Sequence, residues 1–317
     1  MSEEYYKEVS VDSILPGHFP DVAIYLKTGA NYMLYKPHGR NLTTDDHERL
    51  QRRGAEYVYV RTGDMDVISA YQENNLADLL ERQDLKSQTK GKILFQTCAD
   101  YVAEIFESPF NVKDVARCRN LVRQIARFVA HDKESLIPLK AIAAGNPYQI
   151  AHNVQVATLT LLVHARIFPT VNDSELEDVG VGAILHDLGM SFGDSGHAGN
   201  SGFLSHHEYH LVKQHAGTGY DFLKRTGLFS DTTLSIVHHH HERYDGKGYP
   251  DRLTGNAIPK SAQVAAICDS FCAMTSDRIY RKAVTALQAL QTMRDSKGAY
   301  EPELFRNFEK IVLERKV

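Results

Sequence analysis

Two short stretches hold most of the residues that could do chemistry. The first is His238-His-His-His-Glu-Arg-Tyr-Asp-Gly-Lys-Gly-Tyr-Pro250, four consecutive imidazoles running into a glycine-rich turn. The second is Ile184-Leu-His-Asp-Leu-Gly189. Of the 16 histidines in the chain, ten fall between His186 and His241, a crowding that calls for a common cause. Neutral imidazole is a frequent ligand of first-row metals, and a carboxylate beside it can bridge two cations. A glycine loop next to such a centre can hold a substrate against it. The two stretches are therefore expected to meet around metal ions.

Helices must bring these segments together. Apolar residues recur at threes and fours over 112–129, for which Asn111 is the expected cap. A longer helix is expected over 147–167, with Pro147 near its first turn and Pro169 just beyond its end; it carries His152. A helix over 176–188 carries His186 and Asp187 at its C-terminal end. One over 232–241 carries the histidine run, and an alanine-rich helix over 261–275 carries Asp269. Further helices are expected from 205 to 215, from 221 to a stop at Gly227, over 284–293 and over 303–313. Gly189, Gly193, Gly196, Gly199 and Gly202 mark 189–204 as a long loop.

Residues 1–85 read differently. Strands are expected over 21–27, 31–35 and 56–60, the first two joined by Thr28-Gly29-Ala30. Between the second and third strands Thr43-Thr44-Asp45-Asp46 can cap a helix through about Arg53, with Gly54 as its stop. Helical patterns over 68–85 and 93–106 follow, and residues 86–111 link the two parts. The expected fold class is thus mainly α, with an all-helical C-terminal bundle over 112–317 and a small N-terminal α+β domain over 1–85. His18, His38 and His47 are scattered and read as ordinary surface or loop residues. A regulatory or dimerising module and a plain structural appendage both remain open for this domain.

The succession His152, His186-Asp187, His215, His240-His241 and Asp269 resembles the HD-GYP family, the bacterial branch of the HD-domain metal-dependent phosphohydrolases. The resemblance rests on Ala183-Ile-Leu-His-Asp-Leu-Gly189, Lys213-Gln-His215, the run from His240 to Pro250, Ile258-Pro259, Ala266-Ile-Cys-Asp269, Thr275-Ser-Asp-Arg-Ile-Tyr-Arg281 and Tyr300-Glu-Pro302. It covers about residue 112 to the end.

What the resemblance implies is an all-helical phosphodiesterase that opens cyclic di-GMP to pGpG, and then to GMP, with a metal-bridged hydroxide. It implies divalent ions, iron or manganese. Position by position, one ion falls to His152, His186, Asp187 and Asp269, and the other to Asp187, His215, His240 and His241. Asp187 is then the bridging, catalytic carboxylate. Family members with a third metal carry a glutamate where this chain has Tyr148, and a phenol is a poor replacement, so two ions are expected. On the substrate side the resemblance points to Asp245, Gly246, Gly248 and Tyr249 in the loop, and to Arg278 and Arg281, whose guanidinium groups suit phosphate.

Three departures matter. Met190 stands where the family has a lysine, residues 191–204 replace the family's lysine-containing loop, and Cys272 replaces an aspartate. They keep open a second class of function, a weakly active or inactive receptor for a cyclic dinucleotide, or a protein-interaction module. His238 and His239 fall outside the matched pair and read as a partly exposed helix face or as donors supporting the site. His197, His206, His207 and His210 read as surface or supporting residues, His164 as a residue in or beside the core, and Glu242 as an orienter. Cys268 and Cys272, four apart on one helix face, read as small core residues.

Composition narrows the remaining classes. With 317 residues, 43% hydrophobic and 24% charged, the chain reads as a soluble globular protein of one large or two ordinary domains. A formal charge of −4 offers no overall basic field, so DNA is not an expected partner. No run of about 18 apolar residues suggests a membrane span. Residues 1–10 lack the apolar segment of a signal peptide, and the four cysteines show no framework spacing, so a cytoplasmic location is expected. The expected partner is cyclic di-GMP or a related cyclic dinucleotide; a homodimer or a signalling partner through the N-terminal domain stays open.

Overall fold

The computed structural model describes residues 5–131, 136, 146–192, 212–278 and 281–315. Most of the expected glycine loop, with His197, His206, His207 and His210, lies outside them. The chain divides into two units, Met1–Thr97 and Cys98–Val317.

In the first unit the strands β1 (Tyr6–Ser10), β2 (Ile24–Thr28), β3 (Asn31–Lys36) and β4 (Tyr57–Arg61) form an antiparallel sheet of order β1-β4-β2-β3. Helix α1 (Thr44–Arg52) begins with a capping box: Asp46 N–H donates to the Thr43 hydroxyl, and Thr43 N–H donates back to the Asp46 carboxylate. Val9, Ile24, Leu50, Val58, Val60 and Ile68 build this unit's core. Strand β1 has no counterpart in the sequence reading. The expected helix over 68–85 is two helices, α2 (Met65–Asn74) and α3 (Leu76–Glu81). Between them Asn75 turns its side-chain amide back to Tyr71 O at 2.7 Å, competing with the helical ladder. Strand β2 starts at Ile24 rather than Asp21, whose carboxylate instead accepts from Gly39 N–H at 2.8 Å.

Helix α4 (Ser87–Glu107) contains the boundary between the units. It is followed by α5 (Val115–His131), α6 (Tyr148–Ile167), α7 (Asp173–Leu185), α8 (His215–Thr226), α9 (Asp231–His239), α10 (Lys260–Thr275), α11 (Ala286–Asp295) and α12 (Pro302–Arg315). Helix α5 is capped by Asp114, which accepts from Arg117 N–H at 3.0 Å, and not by Asn111, which sits in a preceding 3-10 turn. Helix α6 packs on α5, α7 and α10 and is buried along almost its whole length from Ile150 to His164. Such a helix has no solvent face, so its polar side chains find partners inside the bundle, as His152 does with Asp269 and Asn153 with Ile184 O. Helix α7 starts at Asn172, which accepts from Glu175 N–H at 2.9 Å, and α8 ends at Gly227 in the left-handed region at φ 68°. The architecture is mainly α: a helical bundle with a small four-stranded unit N-terminal to it. Among the described residues no helix is long and apolar enough to cross a membrane.

Candidate metal centre

Five helices deliver the chemistry-bearing side chains to one place. Helix α6 carries Tyr148 and Gln149 in its first turn, four and three residues before His152 and so both its neighbours on the helix surface. Helix α7 stops at Leu185, so His186 is its C-cap and Asp187 lies just beyond. His215 is the first residue of α8. Helix α9 stops at His239, two residues earlier than the sequence suggested, leaving His240 as its cap and His241 outside it. Asp269 sits in the middle of α10 and is buried.

One close backbone approach sets the register of two of these elements. A Cβ at Gly189 would lie 2.0 Å from His215 O, so only glycine lets the turn after Asp187 rest against the start of α8. That approach puts Asp187 Oδ1 3.1 Å from His215 Nε2.

The donors fall into two groups, Asp187 with His215, His240 and His241, of which Asp187 and His241 are only half-buried, and His152 with His186 and Asp269, all buried. In each group the ligand-capable atoms lie within 4.8 Å of one another. Asp187 faces both: its Oδ2 lies 3.4 Å from His186 Nε2, while its Oδ1 lies toward His215 and 3.7 Å from His240 Nε2. Asp269 spans them too, with Oδ1 2.9 Å from His152 Nε2 and Oδ2 3.8 Å from His241 Nδ1.

Three imidazoles are oriented in the same way. His186 Nδ1 lies 2.8 Å from Ala183 O, His215 Nδ1 2.5 Å from Val212 O, and His240 Nδ1 3.0 Å from Val237 O. A carbonyl can only accept, so in each ring Nδ1 carries the proton and, when the ring is neutral, Nε2 presents a lone pair. Those lone pairs point inward. His215 Nε2 and His240 Nε2 face each other at 3.1 Å, beside the carboxylate of Asp187. His186 Nε2 is buried without a well-formed hydrogen bond. Lone pairs and carboxylate oxygens converging in a buried space suit a bound cation. Five imidazoles, two carboxylates and no thiolate favour borderline first-row dications.

The protonation balance agrees. Burial works to raise Asp187, but His186, His215 and His240 outweigh it and hold its carboxyl well below the usual range. Asp269 is likewise lowered, its hydrogen bond from His152 overcoming burial. Burial opposes charge on His186 as well, yet Asp187 and Asp269 lift it to about 9. Burial depresses His240 and His241, which stay neutral. A cation entering the centre would therefore displace a proton.

The glycine loop has its own internal order. Glu242 accepts from Asp251 N–H at 2.7 Å and from Leu253 N–H at 3.1 Å, fixing the loop to the end of α9. A Cβ at Gly248 would lie 2.3 Å from Arg243 N and 2.6 Å from His241 O, so this residue lets the loop lie flat on the histidine run. Gly246 adopts φ 73°. Asp245 is bound within the loop, taking Arg243 at 2.9 Å and Lys247 N–H at 3.1 Å, and is lowered to about 2, mainly by Arg243. Tyr249 lies with its ring 4.7 Å from that of His241, and Lys213 Nζ sits 5.2 Å from the Tyr249 ring centre. Arg278 lies over Tyr148 at 4.6 Å and donates to its hydroxyl at 2.5 Å, whereas Arg281 turns to the backbone carbonyl of Ala273. Met190 is half-buried in the turn after Asp187.

Sequence reasoning missed Gln149 here, and named Tyr148 without its contacts. Gln149 donates to Asp187 Oδ2 at 2.6 Å, and Tyr148 stacks on His152 at 5.2 Å while holding Arg278. Their spacing from His152 on one helix was the available signal. His164, Cys268 and Cys272 are buried, as expected, and His238 and His239 lie half-buried beside Asp251.

The HD-domain family profile matches residues 105–304. A cyclic di-GMP phosphodiesterase of Pseudomonas aeruginosa, PA4108, is 31% identical over 199 residues, which cover 63% of this chain and 48% of that protein. The 3'3'-cGAMP-specific phosphodiesterase 3 of Vibrio cholerae is 28% identical over 174 residues, covering 55% of this chain and 37% of that one. The match thus spans less than half the length of either relative. Among solved structures, Bd1817, a HDG"Y"P protein from Bdellovibrio bacteriovorus, superposes with a TM-score of 0.69 at 20% identity over 97% of this chain and 99% of its own, a likeness of fold.

Proposed function

The chain belongs to the HD-domain family, and on that premise we propose that it is an HD-GYP phosphodiesterase hydrolysing cyclic di-GMP to pGpG and then to GMP. One observation carries the reading. The Nδ1 atoms of His186, His215 and His240 are committed to backbone carbonyls, leaving their Nε2 atoms to converge around Asp187. Two divalent ions, iron with manganese as a substitute, would be held by His152, His186, Asp187 and Asp269, and by Asp187, His215, His240 and His241. When bound they supply positive charge at the phosphate and acidify water for attack at neutral pH.

The protein's own groups do the remaining work. Two carboxylates against two dications leave a net charge of +2, which matches the two phosphodiesters of a cyclic dinucleotide. Arg278 stands at the side of the site, where its guanidinium can take a phosphate oxygen pair. Tyr249 presents a ring against which a guanine can stack. The loop held by Glu242 and Asp245 keeps Tyr249 against His241. Tyr148 offers no carboxylate for a third ion. The reading carries with it a cytoplasmic location, in keeping with four buried cysteines that form no disulfide, and a regulatory role for the N-terminal unit.

Met190 favours a second reading. Without a cation at that position the phosphate loses one source of stabilisation, and the domain would then act as a cyclic-dinucleotide receptor. The test is to load the full chain with iron(II) or manganese(II) under reducing conditions and incubate it separately with cyclic di-GMP and 3'3'-cGAMP, quantifying linear products by chromatography. Turnover of cyclic di-GMP supports the enzyme. Binding without turnover supports the receptor, and neither binding nor turnover refutes both.

A further inference from the structure

The end of α9 carries a second pair of imidazoles that the buried centre does not use. His238 and His239 are consecutive, and consecutive helical side chains leave the axis about 100° apart. Yet both Nε2 atoms converge on one oxygen: His238 Nε2 lies 3.1 Å, and His239 Nε2 3.2 Å, from Asp251 Oδ2. The three donor atoms lie within 4.8 Å of one another. Ligands about 2.1 Å from a metal at 90–109° stand about 3.0–3.4 Å apart, so these separations are those of neighbours in one coordination shell.

Both halves of the grouping are held in advance. The ring of Tyr220 packs 4.3 Å from that of His238, and Asp251 N–H is tied to Glu242. The Nδ1 atoms of both histidines are enclosed and reach no hydrogen-bond partner, so Nε2 is the ring atom each can offer to a cation. Asp251 is 50% exposed, which leaves the site open to water and to further ligands. Two imidazoles and one carboxylate suit zinc, nickel and iron(II) better than calcium or magnesium.

We propose that His238, His239 and Asp251 form a third cation site, sharing no ligand with the two buried groups, which takes a first-row dication such as zinc and cross-links the end of α9 to the loop that carries Tyr249. Asp251 follows Tyr249 by two residues, so occupancy fixes the segment that positions the tyrosine ring over His241.

The full chain and its variants are dialysed against the same series of zinc concentrations, and bound zinc per chain is counted. Exchange at the buried groups is common to all, because their ligands are unchanged, so the difference between chains reports the third site whatever the buried groups bind. The expected result is one more zinc per chain in the wild type than in Asp251→Leu or in the double variant His238→Ala, His239→Ala. Asp251→His, which replaces one ligand type by another, is expected to recover that equivalent, an outcome that misfolding could not produce. Equal zinc in the wild type and all variants would overturn the proposal. So would a loss in Asp251→Leu that Asp251→His does not recover.

Discussion

Gly189→Ala is the substitution whose effect follows most directly from the geometry. The added Cβ would lie 2.0 Å from His215 O, 2.7 Å from His215 C and 2.9 Å from Gly219 N. All three atoms are backbone, so no rotamer change relieves the clash. Reaching an ordinary contact of 3.4 Å requires a displacement of about 1.4 Å, the difference from 2.0 Å. Overpacking typically costs about 1–3 kcal/mol, and with backbone on both sides the upper end, about 3 kcal/mol, is expected. For a unit of this size that lowers the melting temperature by about 6–12 °C. The same displacement separates Asp187 Oδ1 from His215 Nε2, now 3.1 Å apart, so metal retention falls with stability. Gly217→Ala is the control. It lies in α8, the helix that Gly189 rests against, with nothing within 4 Å of its Cβ, and the change should be neutral or stabilising by up to about 1 kcal/mol. Thermal melts and metal content after gel filtration read both variants. A Gly189→Ala protein that melts within about 2 °C of the wild type and keeps its metal would refute the argument.

Other perturbations have equally definite outcomes. Gln149→Ala removes the donor to Asp187 Oδ2 and should weaken metal binding about 10–100-fold by chelator competition, with the fold intact. Arg278→Lys replaces a planar fork by a point charge and should raise KM for the dinucleotide about tenfold while leaving metal content unchanged. His164 is buried, and burial lowers it from 6.5 to about 4. The unfolded chain therefore takes up this proton near pH 6.5 and the folded chain only near pH 4, so stability falls as pH drops through that window, by up to about 3 kcal/mol. His164→Leu should flatten the stability profile between those limits in denaturant titrations; an unchanged slope would show that the residue does not titrate as described.

The parts of the structure that were legible in the sequence are those set by local pattern or by a matched motif. The apolar run of α6, the capping box at Thr43 and the helix stop at Gly227 are short-range signals, and each appears where its chemistry requires. Features that depend on the exact path of the backbone or on which partner a side chain finds were not legible. Strand β1 reads Tyr-Lys-Glu-Val-Ser, too polar to announce a strand, and exists because β4 pairs with it along its length. Asp114 rather than Asn111 caps α5 because a 3-10 turn intervenes, a choice that depends on three residues of backbone. The clearest case is Asp245. Its type points to a ligand contact, and the pairing of its carboxylate with Arg243 two residues earlier is a detail that type alone does not give. Gly189 similarly looked like a loop residue, and only the approach of His215 O shows why a side chain is excluded.

The central claim is that seven residues hold two metal ions around a shared Asp187. The most direct test is the number of tightly held ions per chain, counted by elemental analysis after gel filtration, in the wild type and in Asp187→Asn. The account predicts two fewer ions per chain in the variant than in the wild type, with helical content unchanged, since the amide keeps the shape of the side chain and removes its charge. An Asp187→Asn protein that retains as many ions as the wild type, or one that loses three, would contradict it.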